Sequence, residues 1–199
     1  MKNKLCLLIL ILFSAGITIA ENIDPQNTDN QFAYGENVGW INFEPGQTGS
    51  GVLVESDKVT GYIWGENIGW INLSPNTYGG VINDGLGHLS GFAWGENVGW
   101  INFDPDYGGV SIDINGNFSG YAWGENIGWV NFDSSELSGQ GVEVCVVNYQ
   151  DLATMAEQWL KSGRGWSADL YLDSNIDFQD FNILAIYWMD YCPDNWSLN

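Results

Sequence analysis

The chain has 199 residues, and its 25 acidic side chains against five basic ones give a formal net charge of −20. Such a surface repels phosphate backbones and anionic lipid, which argues against nucleic acid or a membrane face as partner and leaves neutral glycans and divalent cations. His88 is the single histidine, it lies in a glycine-flanked loop, and no serine or cysteine is placed by motif beside it, so a multi-histidine zinc site or a Ser-His-Asp site is not expected.

In chain order, Lys2 and Lys4 precede an apolar run from Leu5 to Phe13 that thins out toward Ile19. Thr18, Ile19 and Ala20 form a small-residue cleavage site, so residues 1–20 read as a secretory signal peptide. The run is too short and too glycine-broken to span a bilayer, and the processed protein is expected to be secreted, extracellular or at the cell surface, and not transmembrane. Residues 21–31 read as a linker. Removing residues 1–20 leaves Cys145 and Cys192. This even pair, in an oxidising compartment, is expected to form a disulfide that closes the C-terminal segment.

Residues 32–141 hold an internal repeat: FAYGENVGWINF from Phe32, YIWGENIGWINL from Tyr62, FAWGENVGWINF from Phe92 and YAWGENIGWVNF from Tyr121. Trp40, Trp70, Trp100 and Trp129 follow one another at intervals of 30, 30 and 29 residues. Within each copy, alternation on either side of a Glu-Asn-Val/Ile-Gly turn predicts a β-hairpin, and GVLV, GVIN or GVSIDI a third strand. Glycine and β-branched residues are too dense for helix.

Alternation also sorts the faces. Ile41 and Phe43, Ile71 and Leu73, Ile101 and Phe103, and Val130 and Phe132 share an apolar face. Trp40 with Asn42, Trp70 with Asn72, Trp100 with Asn102 and Trp129 with Asn131 make the opposite one. Stacked in register, the units would form a β-solenoid-like array of four with a continuous core; a closed propeller or barrel is the alternative. These eight Trp and Asn residues are candidate ligand-binding positions. Indoles can stack on sugar rings, and amides together with Glu36, Glu66, Glu96 and Glu125 can bond hydroxyls. Repeated large aromatics more commonly bury area, so the competing expectation is that the indoles are packing elements and the Glu-Asn tetrapeptides only turns. The pattern resembles tryptophan- and glycine-rich repeats of bacterial secreted and surface proteins.

Beyond residue 141 the period becomes helical. Leu152, Met155, Ala156, Trp159 and Leu160 fall on one face, and Phe181, Leu184, Ala185, Trp188 and Met189 repeat them 29 positions later. Before the second helix stands DLYLDSNIDFQD, whose acids occupy positions 1, 5, 9 and 12 of a 12-residue loop. Residues 142–199 thus form a small two-helix module that resembles the type I dockerin domain, a duplicated calcium-loop module that joins secreted proteins to cohesin partners. The resemblance implies one calcium, with Asp169, Asp173 and Asp180 as side-chain ligands, Asn175 giving its carbonyl, and Asp177 acting directly or through water. Tyr171 stands where an acid or amide usually coordinates and Ser174 where glycine usually bends the loop. The first copy keeps only Asn148 and Asp151, and no calcium is expected there.

These features point to a secreted, non-catalytic binding or attachment protein, associated with polysaccharide and with a cohesin-like partner. A purely structural surface protein and a carbohydrate-active hydrolase are the alternatives, since a glycosidase needs only two carboxylates in different environments.

Overall fold

A computed structural model describes residues 22–25, 28–46, 51–134, 141–193, 196 and 198; the signal peptide read from residues 1–20 lies outside them. Each repeat forms one hairpin: β1 (Phe32–Gly35) with β2 (Gly39–Asn42), and β5 (Tyr62–Gly65) with β6 (Gly69–Asn72). The other two join the end of β8 (His88–Gly95) to β9 (Gly99–Asn102), and the end of β11 (Phe118–Gly124) to β12 (Gly128–Asn131). In the third hairpin the Val98 N–H donates to the Gly95 carbonyl at 3.2 Å, and Gly99 follows at φ 78°. That left-handed geometry lets a three-residue turn lead directly into the return strand, and glycine adopts it without steric cost.

Neighbouring hairpins then pair edge to edge. β2 pairs with β5, β6 with β8 and β9 with β11, and the ring closes where β12 meets β1 through Tyr34↔Asn131 and Gly35↔Val130. The result is a closed antiparallel barrel of eight strands. The solenoid-like stack anticipated from the repeats therefore does not form, and the closed alternative does. Right-handed twist accumulates from hairpin to hairpin until the two outer edges meet, and closure pairs main-chain groups that an open stack would leave as sticky edges.

The turn asparagines tie the ring together. Asn67 Nδ2 donates to the Val38 carbonyl at 3.0 Å, Asn97 to Ile68 at 3.1 Å and Asn126 to Val98 at 3.0 Å. Asn37 completes the circle by donating to Ile127 at 3.1 Å. Each turn thus holds the turn of the preceding hairpin, across the closing seam as well.

A second tier continues the wall with β3 (Leu53–Val54), β4 (Lys58–Thr60), β7 (Gly80–Asn83) and β10 (Gly109–Ile112). They pair in the order β3-β4-β7-β8-β10-β11, using the first halves of β8 and β11. The chain supplies the missing fourth unit from two distant places: Glu143 bridges to Asn117, and Val144 to Ile23. Asn22 then grips both main-chain groups of Val54 with its side-chain amide, at 2.8 and 2.9 Å. Residues 22–24, which read as linker, and 142–144, which read as the start of the C-terminal module, are thus part of the barrel wall.

The interior is filled as the alternation predicts. Ile41, Phe43, Ile71, Leu73, Ile101, Phe103, Val130 and Phe132 are all buried. Phe132 packs against Phe43 and Phe103 with ring centroids 5.4 and 5.5 Å apart.

Two helices follow, α1 (Tyr149–Gln158) and α2 (Phe178–Ile186), each opened by a reciprocal capping box, Asn148 with Asp151 and Asp177 with Asp180. Met155 and Leu184 meet Ile176, Val147 and Ala168 in a second core, while Trp159 and Trp188 pack half-buried at its margin. The helices stop two and three residues before the ends of their apolar periods, because Leu160 at φ 61° and Met189 at φ 63° turn the chain into left-handed geometry. The Cys145–Cys192 disulfide forms as expected, with Cα atoms 5.3 Å apart. Beside it the Tyr191 hydroxyl meets Asn83 Nδ2 at 2.5 Å, joining module to barrel. Among the described residues no helix is long and apolar enough to cross a membrane.

Candidate functional site: aromatic clefts between hairpins

The strand alternation that buries Ile101 turns Trp100 outward. Trp40, Trp70 and Trp100 remain 39%, 41% and 41% exposed, so the expectation that the indoles are core is not met; Trp129 is half-buried. The barrel interior is already filled by smaller aliphatic and phenyl groups, and the indoles have only the outer wall to occupy. There they pair across each hairpin. Tyr34–Trp40, Trp64–Trp70, Trp94–Trp100 and Trp123–Trp129 have ring centroids 5.0, 4.9, 4.7 and 4.8 Å apart. Phe32, Tyr62, Phe92 and Tyr121 stand edge-on to the same tryptophans at 6.2 to 6.4 Å. Such tilted pairs fix ring orientation while leaving faces open.

Where two hairpins meet, these rings line clefts. One, of about 750 Å³, lies between the third and fourth hairpins and is lined by Phe92, Trp100, Asn102, Trp123 and Glu125, with Tyr78 at its lip. Another, of about 490 Å³, lies between the second and third and is lined by Tyr62, Trp70, Asn72, Trp94 and Glu96. The correspondence is residue for residue at the repeat interval: an edge-on ring, a tryptophan and an amide from one hairpin, then a tryptophan and a carboxylate from the next. Apolar walls with a few converging polar groups, at this volume, are the general form of a small-ligand site.

The candidate residues are thus partly brought together. Trp70 and Asn72 share one cleft and Trp100 and Asn102 the other. Trp40 with Asn42 and Trp129 with Asn131 occupy the corresponding positions on the remaining two seams. The asparagines have a structural task as well: the Oδ1 atoms of Asn42, Asn72 and Asn102 accept the amide two residues on, at 2.8, 2.9 and 3.0 Å. This leaves the Nδ2 group as the donor, and in Asn72 it reaches the Tyr62 hydroxyl of the same cleft at 3.4 Å. In Asn131 the Oδ1 atom is buried without a hydrogen-bond partner. The sequence reading missed Trp64, Trp94 and Trp123, which stand on first strands. Their signal was present, because hairpin register places Trp94 opposite Trp100 on the same face.

The C-terminal loop presents oxygens only, which fits a hard cation such as calcium in donor chemistry. Its carboxylates are engaged with the loop's own amides. Asp169 accepts from Asp173 and Ser174, each at 3.0 Å, and the fully buried Asp180 accepts from Tyr171 and Asp177, each at 2.9 Å. Each carboxylate oxygen keeps a further lone pair. Asp177 caps α2 through the Gln179 amide, and Asn175 pairs with Ser162 in the segment after α1, as its counterpart Val146 pairs with Tyr191 after α2. Ser174 adopts the bend at φ 70° that glycine would make more easily. Among the described residues no three His, Cys, Asp or Glu side chains gather into a metal-holding group.

Strand pairing also brings together two residues that the sequence keeps apart: His88 Nδ1 and Ser111 Oγ lie 3.0 Å apart on the exposed outer tier. The nearby Asp84 carboxyl is held below its usual range by the amides of Leu86 and His88, which it accepts. That carboxylate orders the loop's own main chain. No protein-family model, curated protein or solved structure matches the chain, so its function is argued from its own residues.

Proposed function

We propose that this is a secreted, non-catalytic polysaccharide-binding protein. Its barrel presents aromatic clefts to neutral glycan, and its C-terminal module attaches it, with calcium, to a cohesin-like partner. The observation that carries the binding reading is the recurrence of one cleft, rings, amide and carboxylate alike, at successive hairpin seams. A sugar ring has apolar C–H faces and a hydroxyl-bearing edge. Trp100 and Trp123, or Trp70 and Trp94, offer surface for the faces, and Asn102 with Glu125, or Asn72 with Glu96, offers a donor and an acceptor for the edge.

Charge selects within the glycans. Each of these clefts is lined by a carboxylate and by no basic side chain, so uronic-acid and sulfated polymers meet repulsion on an already acidic surface. One lining carboxylate per cleft also favours binding over glycoside hydrolysis, which takes a pair. Support for the attachment reading comes from the duplicated, capping-box-opened helices and the pairing of Ser162 with Asn175, while export is consistent with the Cys145–Cys192 disulfide.

Native gel electrophoresis through gels containing galactomannan, mixed-linkage β-glucan, xylan or polygalacturonate tests the binding reading. Retardation by at least one neutral polymer and none by polygalacturonate is expected. Unchanged mobility in every gel, or retardation by polygalacturonate alone, would contradict it.

A further inference from the structure

Closure of the barrel decides how the clefts can be used. In an open stack the tryptophans would form one straight ladder, and a long glycan lying along it would engage several units at once. In a ring of four hairpins, successive seams are instead turned by about 90° around the barrel axis. The cleft built on Trp70 and Trp94 and the cleft built on Trp100 and Trp123 therefore face outward in different directions. The arrangement is held rigidly, because the asparagine bridges from turn to turn run around the whole ring and the interior is packed.

A stiff polysaccharide chain seated in one cleft passes away from the next. Multivalent gain on a single chain needs a geometry that permits simultaneous engagement, and where that is lacking the second site remains free for another ligand. We infer that each molecule binds two separate glycan strands at once and so cross-links the polymer. The activity is that of a non-covalent bridge between polysaccharide chains. This inference rests on the glycan-binding reading above and adds the number and divergence of the sites.

Two measurements on the intact protein test it. In the first, protein is titrated into dilute galactomannan and into dilute mixed-linkage β-glucan while light scattering is recorded. Bridging predicts scattering that rises to a maximum and falls again in protein excess, when every strand segment holds its own molecule. In the second, calorimetry with short oligosaccharides cut from the same polymers is expected to give at least two bound per molecule. Trp100→Ala should lower that number by one, while the neighbouring cleft, whose Trp94 loses its ring partner, still binds. Saturation at one oligosaccharide per wild-type molecule, or scattering that never passes through a maximum although oligosaccharide binds, would overturn the cross-linking inference alone. Absence of any oligosaccharide heat and of any retardation in the gels would overturn the binding reading and the inference with it.

Discussion

Gly95 shows how a single missing methyl group sets the barrel's shape. It faces inward, and a Cβ there would stand 2.6 Å from Val98 Cγ2 and 3.1 Å from Ile71 Cγ1. The equivalent inward glycines Gly35, Gly65 and Gly124 lie against Val38, Ile68 and Ile127 in the same way. The turn aliphatic folds back under its own hairpin to close the barrel floor, and only glycine leaves it room. Gly95→Ala is therefore expected to overpack the floor and to cost about 1–3 kcal/mol, read as a lower midpoint in thermal or urea denaturation. An unchanged midpoint would show that Val98 has another place to go. At this scale much was legible: alternation alone puts Ile101 inside and Trp100 outside. What the alternation left undetermined was whether the face opposite the core would be covered, because that depends on whether units stack or curl.

The helices were legible as a duplicated unit from the 29-residue offset, and their N-termini from Asn148-x-x-Asp151 and Asp177-x-x-Asp180. Their ends were not, since left-handed Leu160 and Met189 carry no glycine signal and the apolar period runs on past the last helical turn. The calcium loop is the element whose chemistry the sequence states most directly. Asp173 is its most accessible acid, and its carboxylate is shared only with the Asn175 amide and Gln179. Calorimetry of the whole protein is expected to show one calcium. Asp173→Ala should weaken it by about tenfold or more while leaving the buried caps Asp151 and Asp180 intact. Two equal sites, or no heat at millimolar calcium, would contradict the carry-over from dockerins.

For the whole molecule, four near-identical units were plain in the sequence, but the sign that they close on themselves was split between distant segments. Asn22–Asp24 does not read as a strand, and the GVEV string from Gly141 reads only as an orphan third strand; the two pair with each other and with the free edges of the outer tier. Closure has the functional consequence: it buries Ile101 and its equivalents, turns the indoles outward and forms the clefts at the seams. Trp100 and Ile101, adjacent on β9 and on opposite faces, therefore test the account most directly when each is replaced by alanine and both melting temperature and polymer retardation are measured. Trp100→Ala should lose its ring contacts with Trp94 and Phe92, about 0.5–1.5 kcal/mol for each aromatic pair, together with its packing on Gly79, and stay folded with weakened retardation. Ile101→Ala should cost about 2–5 kcal/mol and, below its melting temperature, retain binding. A Trp100→Ala protein that unfolds as readily as Ile101→Ala, or that melts normally and is retarded as strongly as wild type, would contradict the account.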